Sequence, residues 1–379
     1  MGIALVLALA QILVEAATVR VNGVRITCLD FWLAFLEPGT NVRRGLHMKY
    51  AGAISLFVVM SGTTALAQAP PSEIDAHIAA ARTAAGQDYR ATFVNLCLPS
   101  APRGGGPGPA GPGAPAPPPT PDRANWYAAP FKVFDNLYWL GTRQHSSWAL
   151  QTSAGIIIID TNFAWATEPE IIEGLTKLGL NPRDIKYVVI SHAHGDHDQG
   201  AAELQKRYGA KVVMGTPDWA STLQRPATAA GGVPTRDIAV GQEGYKLTLG
   251  DTTVDIIATP GHTPGTLSYI FPVKDQGRPL MVAYSGGTLT GAFGTDGARW
   301  DEYIASQRAI AKAAADARAS VLISNHSEYD GAYTKARLIA APRQVGETHP
   351  FIVGADGVQR YFTVMSECAT ASKLRLGAK

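Results

Sequence analysis

Ser191-His192-Ala193-His194-Gly195-Asp196-His197 is the stretch on which the reading of this chain turns. It places three histidines and one aspartate within six residues, in a chain with nine histidines among 379 residues. Such density points to a ligand cluster rather than to scattered loop polarity. The apolar run Tyr187–Ile190 leads directly into it, which predicts a loop leaving a buried strand at a sheet edge. His192 and His194 are two residues apart, so an extended backbone sends both imidazoles to the same side, toward one cation. Asp196 and His197 come where the chain turns into the next helix and can face a second, adjacent cation. Imidazole and carboxylate donors with no thiolate nearby suit zinc and tolerate iron or manganese.

Two further histidines sit in similar positions. His262 lies within Ala258-Thr259-Pro260-Gly261-His262-Thr263-Pro264-Gly265-Thr266, a tight Pro/Gly loop after the strand Thr253–Ala258. His326 follows Ile323-Ser324-Asn325, one step past another apolar strand. Together they predict two metal sites: His192, His194 and His262 for one, and Asp196, His197 and His326 for the other. Three protein ligands and an open position are the mark of catalytic rather than structural zinc. His77, His145 and His349 lack such a context and read as hydrogen-bonding loop residues. Asp160 ends an isoleucine-rich strand; it either orients a ligand histidine from behind or caps the following turn.

The rest of the chain supports a layered α/β fold. Strands are predicted at 131–140, 154–160, 187–191, 211–214, 246–249, 253–259, 266–272, 280–285 and 320–324. Helical spacing covers 168–180, 198–208, 302–318, 333–341 and 357–374. The chain is 46% apolar and 17% charged, enough for a large core, and its net charge of +2 gives no support for a nucleic-acid or anionic-membrane binder. Three cysteines exclude a disulfide framework and any four-cysteine zinc site.

The N-terminal region has its own organisation. Gly2–Val14 is an uncharged, mostly apolar run, short for a bilayer span. Met48, flanked by Arg43, Arg44 and Lys49, precedes the apolar stretch Ala51–Met60 and the small-x-small site Ala65-Leu66-Ala67. That is the layout of a secretory signal peptide, which makes Met48 the natural start and residues 1–47 an upstream extension of the reading frame. The competing reading is a membrane anchor within residues 1–67. Residues 68–98 form a short helical segment, 99–124 a linker dominated by Pro, Gly and Ala, and 125–379 a compact domain. Export permits a disulfide between Cys97 and Cys368, but nothing in the spacing pairs them.

His-x-His-x-Asp-His, then Gly-His-Thr-Pro-Gly, then a late strand-end His resembles the metallo-β-lactamase superfamily. The resemblance covers about Trp126 to the C-terminus and implies a four-layer αββα sandwich with two Zn2+ in a groove at the sheet edges. Trp126–Phe131, Asn136–Thr142, Ser191–His197 and Ser324–His326 look most like the third subclass of class B β-lactamases. In that subclass His197 replaces a cysteine ligand, and the metal ligands carry over onto the same six positions. The implied activity is opening of the β-lactam amide by a metal-bound hydroxide, with Asp196 both ligating and hydrogen-bonding the nucleophile. A periplasmic location and a small-molecule substrate follow, with no nucleic-acid partner and no stable membrane association after signal cleavage.

Glyoxalase-II-like thioesterases and many lactonases of the superfamily carry an Asp bridging both metals, after the strand that here is Leu280–Tyr284. This chain reads Ser285-Gly286-Gly287-Thr288 at that place. Ser285 and Thr288 are the nearest candidates for the subclass's substrate-carboxylate contact, and His145 and Trp148 are candidates on a facing loop. The alternatives are a periplasmic hydrolase of lactones or esters and, least supported, a non-enzymatic zinc-binding module.

Overall fold

The computed structural model describes residues 18–21, 24–27, 72–98, 120–288, 293–342, 344 and 346–379. The predicted signal peptide and most of the Pro/Gly segment lie outside the described residues. Thr18–Val21 and Val24–Thr27 form an antiparallel hairpin within a first unit, residues 1–70; residues 71–379 form a second. Among the described residues no helix is long and apolar enough to cross a membrane.

The second unit contains two sheets. The first has seven strands in sequence order: β1 (Phe131–Phe134), β2 (Leu137–Trp139), β3 (Trp148–Thr152), β4 (Gly155–Ile159), β5 (Ile185–Val189), β6 (Lys211–Gly215) and β7 (Ile238–Val240). Pairing is antiparallel through β4 and parallel from β4 to β7. The second has β8 (Tyr245–Leu249), β9 (Thr252–Ala258), β10 (Leu267–Asp275), β11 (Arg278–Ser285) and β12 (Val321–Ser324), with only the β11–β12 pair parallel.

The layering follows from side-chain alternation. Successive residues of a strand point to opposite faces. In β4, Ile157 and Ile159 enter the core between the sheets, beside Trp148, Val213, Tyr269, Phe271 and Tyr284. Ile156 and Ile158 face the other way, against Leu175, Leu204 and Trp219 from the flanking helices. The run of four isoleucines is therefore a strand buried on both faces. The second sheet does the same: Ile270, Ala283 and Leu322 pack under helices that include Tyr303, Val358 and Met365. The result is the αββα sandwich of the metallo-β-lactamase fold.

Helices α1 (Glu73–Ala85) and α2 (Arg90–Cys97) precede the Pro/Gly segment in sequence, yet they pack on the C-terminal helix, Gly354–Arg375. Tyr89 meets Tyr361 edge-on at 5.3 Å, Arg375 donates to the Cys97 carbonyl (3.2 Å), and Cys97 is disulfide-bonded to Cys368. Residues 72–98 thus supply part of the outer helical layer of the same unit. The strand at 148–152 and the helix Thr216–Leu223 were not among the expected elements. The predicted helix at 168–180 begins earlier, at Ala164, and contains a wide turn over Thr167–Ile172.

Within that wide turn Glu170 is fully buried, one oxygen accepting from the Ala128 N–H at 3.3 Å. Burial pushes its pKa up to about 8, only partly offset by that bond and by Arg123. The folded pKa lies above the unfolded one, so the folded state holds the extra proton. Stability contributed this way is complete at low pH and is lost as pH rises toward 8. Glu170→Gln should therefore come within about 1 kcal/mol of the wild type at pH 5 and exceed it by roughly 4–5 kcal/mol at pH 9, read by denaturant unfolding at both pH values. A difference between variant and wild type that stays the same at the two pH values would show that Glu170 ionises freely.

Candidate metal centre

Five strand ends meet at one edge of the sandwich. The loop after β5 carries Ser191–His197, the loop after β9 carries His262, and the residues after β12 carry His326. Asp160 follows β4, and Gly286 follows β11. The Leu267 N–H donates to the Ser191 carbonyl (2.8 Å) and ties the two sheets together at this edge.

The structure brings all six predicted ligands together in two adjoining sets. His262 Nε2 lies 3.1 Å from His192 Nε2 and 3.1 Å from His194 Nδ1. One imidazole nitrogen carries at most one proton and cannot donate to two neighbours at once. Three nitrogens converging this closely are lone pairs aimed at a common point. In the second set Asp196 Oδ2 lies 3.1 Å from His197 Nε2 and 3.4 Å from His326 Nε2, and those two nitrogens are 3.2 Å apart. Zinc–ligand bonds of about 2.0–2.1 Å in a tetrahedron put neighbouring donor atoms roughly 3.4 Å apart, so both sets have the spacing a zinc ion requires. The rings of His192 and His197, one from each set, are 4.3 Å apart.

The outer nitrogens explain why the inner ones are available. His192 Nδ1–H donates to the Gly286 carbonyl at 3.0 Å, which leaves Nε2 as the acceptor. His197 Nδ1 lies 3.1 Å from Asp160 Oδ2. Asp160 is fully buried and also accepts from the Ser191 N–H (2.7 Å), the Ser191 hydroxyl (2.8 Å) and the Tyr284 hydroxyl (2.7 Å). Its backbone sits at φ 58°, a strained conformation for a residue with a Cβ, and these four donors hold it there. Of its two readings, orientation of a ligand histidine is the one the contacts match.

Charge in the metal-free cluster is settled by close neighbours. Burial opposes protonation of His197, but Asp196 and Asp160 override it and raise its pKa to about 10. Burial likewise opposes ionisation of Asp196, and His197 together with His326 holds its carboxyl well below the usual range. His192 is driven well below its ordinary value by burial and then by the neighbouring histidines.

Two supports were not foreseen from sequence. Asp218, at the start of the helix Thr216–Leu223, accepts from the Ala193 N–H (2.7 Å), the Thr263 hydroxyl (2.8 Å) and the Gly265 N–H (2.9 Å). One carboxylate thereby locks the His192–His194 loop to the His262 loop. Arg299 grips the second loop from outside, donating to the Gly261 and His262 carbonyls at 2.9 and 2.7 Å.

The expected substrate contacts separate into two groups. His145 is at the site: its Nε2 lies 3.6 Å from Asp196 Oδ2. The other three are not exposed to it. Trp148 is fully buried in the inter-sheet core, edge-on to Phe351, its indole N–H donating to the Ser324 carbonyl. Ser285 follows Tyr284 in β11, and since Tyr284 faces Asp160, the pleat turns Ser285 to the opposite side, against Tyr361 of the C-terminal helix. Thr288 is buried and donates to Asn325 Oδ1 at 3.4 Å. His77 and His349 serve structure, against Glu367 (2.6 Å) and the Val133 carbonyl (2.9 Å).

Comparison with known proteins agrees with this geometry. The family model described as the metallo-β-lactamase superfamily matches residues 140–275. This part of the chain is a metallo-β-lactamase superfamily domain. The chain is similar in structure to BJP-1, a subclass B3 metallo-β-lactamase of Bradyrhizobium japonicum, with 29% identity and a TM-score of 0.53 over 66% of this chain and 96% of that one. Among curated sequences it is 35% identical to a hydroxyacylglutathione hydrolase of Rhodopseudomonas palustris over 30% of this chain and 37% of that protein. It is 30% identical to the N-acyl homoserine lactonase AttM of Agrobacterium fabrum over 35% of this chain and 49% of that protein. The chain thus spans between a third and a half of the length of these curated relatives. The fold implies divalent metal binding, typically of zinc, and the two donor sets fit that ion.

Proposed function

We propose that this metallo-β-lactamase superfamily member is a dinuclear zinc hydrolase that opens the amide bond of β-lactams. The observation that carries the reading is the segment after β11. A carboxylate bridging the two metals, as in thioesterases and lactonases, would have to come from here, and the backbone leaves no room for one. A Cβ on Gly286 would stand 1.7 Å from the Leu267 carbonyl oxygen. One on Gly287 would stand 2.8 Å from His262 Cβ, and Ser285 points away. The segment instead gives a backbone carbonyl to His192. The fold-wide similarity to a subclass B3 enzyme supports the same choice.

His192, His194 and His262 would hold one zinc ion and Asp196, His197 and His326 a second, and such ions would supply Lewis acidity for activating water and polarising a carbonyl. The protein's own groups do the rest. Asp196 places a carboxylate oxygen in the second set, where it can accept a hydrogen bond from the attacking water and hold it oriented. Asp160 fixes His197 and stays fully buried, so it takes no proton from substrate. Asp218 and Arg299 keep the three histidines of the first set in register. No serine or cysteine nucleophile is required.

The disulfide supports export to an oxidising compartment, in line with a periplasmic enzyme. The near-neutral charge suits a small-molecule substrate rather than nucleic acid. The test is carbapenem hydrolysis by the purified protein, with a zinc chelator and after zinc is returned. Turnover that disappears with the chelator and recovers with zinc is expected. Protein carrying two zinc ions that leaves carbapenems, penicillins and cephalosporins intact but opens N-acyl homoserine lactones would transfer the assignment to lactones, the substrate class named for AttM.

A further inference from the structure

The second donor set holds one group more than the six-ligand pattern calls for. His145 stands in the loop between β2 and β3, far in sequence from every other ligand. The structure carries it to the metal edge by pairing that loop with the residues after β12. His145 and His326 form an isolated antiparallel bridge. The Ser146 N–H donates to the Asn325 carbonyl and the Ser327 N–H donates to the Gln144 carbonyl, both at 2.8 Å. The two imidazoles are thereby held side by side, edge to face, with centroids 5.1 Å apart.

The ring is also aimed. Thr142 Oγ1 accepts from the His145 N–H at 2.9 Å and lies 3.3 Å from its Nδ1, so the loop fastens the outer side of the ring. Phe163 packs edge-on against it at 5.1 Å and restricts its rotation. What remains is Nε2, directed at Asp196 Oδ2 across 3.6 Å. That is the donor–donor spacing of the other members of the set, 3.1 to 3.4 Å, slightly opened. The ligand atoms of His145, Asp196 and His326 all lie within 4.8 Å of one another. A histidine that served only the loop, or only substrate, would have no reason to direct its nitrogen into the donor set.

We propose that His145 is a fourth protein ligand of the second metal site, which is then held by His145, Asp196, His197 and His326. The proposal rests on the dinuclear reading above but not on the substrate assigned there. Its consequence is an asymmetry between the two ions. Four protein ligands are the complement of a closed, tightly held zinc, whereas three leave an open position for water or substrate. The first site, with His192, His194 and His262, then offers the open position, and the second ion is the better retained.

Zinc titration of the metal-free full chain, in competition with a chromophoric chelator, tests this without any substrate. The wild type is expected to take two zinc ions. His145→Ala should bind the first with unchanged affinity and the second at least tenfold more weakly. It should also change the visible spectrum of the protein loaded with two cobalt(II) ions. Phe163→Leu, which removes packing but no donor, should keep both affinities within about threefold. A second measurement avoids any loss of folding: in wild-type protein loaded with 113Cd, the His145 Nε2 resonance should show coupling to the metal. Unchanged second-site affinity and cobalt spectrum in His145→Ala, or no coupling at His145 in the wild type, would overturn the assignment. A wild type that takes up only one zinc would overturn it together with the dinuclear reading, and that result appears before any variant is made.

Discussion

Asp196→Ala is expected to lose the second zinc and to hydrolyse substrate about a thousandfold more slowly than the wild type. The effect is large because Asp196 acts in several places at once. Its Oδ2 atom is within 3.6 Å of three imidazole nitrogens, from His145, His197 and His326. It is the only anion in that set, so its removal leaves imidazoles alone to hold a dication. Asp196 also stabilises the protonated form of His197, so the cluster loses its charge balance even before metal arrives. The first set contains no atom of Asp196, and its zinc should remain. Metal analysis should therefore give one zinc per chain in the variant, with the rate loss appearing in kcat. A variant retaining two zinc ions and a rate within tenfold of wild type would show that Asp196 neither ligates nor positions the nucleophile.

Gly286→Ala is expected to be the most damaging single-methyl substitution near the site. The added Cβ would sit 1.7 Å from the Leu267 carbonyl oxygen, and no side-chain rotation relieves a clash with backbone. Either β11 or β10 must move, at a cost of roughly 3 kcal/mol or more. The movement also takes away the carbonyl that His192 Nδ1 and the Asn325 amide both use. The expected readout is a fall of roughly 5 °C in the midpoint of thermal unfolding, together with weaker zinc binding in the first set. Ser285→Ala, one residue earlier but facing Tyr361, should leave zinc affinity unchanged. If Gly286→Ala were as stable as wild type and bound zinc normally, the backbone argument against a bridging carboxylate would fail with it.

The part of the site legible in the sequence is the part built from short-range geometry. His192, His194, Asp196 and His197 lie within a few residues, so their spacing alone carries directional information. His262 and His326 were legible because each follows an apolar strand that could be placed in a sheet. The four-isoleucine strand and the alternation of strands with helices fixed the layered architecture for the same reason. What was not legible depends on contacts between distant segments. His145 reaches the centre only because its loop bridges to residues 181 positions later. Asp218 works by accepting from two different loops, which leaves no local pattern. Trp148 and Ser285 were misplaced because a place at a strand end does not say which side of the strand a residue faces. The pairing of Cys97 with Cys368 spans 271 positions and rests on how α1 and α2 pack, which the intervening Pro/Gly segment hides.

That disulfide also changes what the backbone between residues 98 and 122 is required to do. Helix α2 is tied covalently to the C-terminal helix at one end of this stretch, and at the other end the first sheet begins nearby in sequence. The connecting residues therefore have no role in keeping the two helices on the molecule. Were the chain cut anywhere between Cys97 and Cys368, the two polypeptides would travel as one until a reductant is added. Changes in the length of the stretch would alter the entropy of closing the loop by well under 1 kcal/mol per doubling. Every candidate ligand, from His145 to His326, lies inside the covalent ring that Cys97 and Cys368 close, so the disulfide and the metal centre belong to one closed loop of chain.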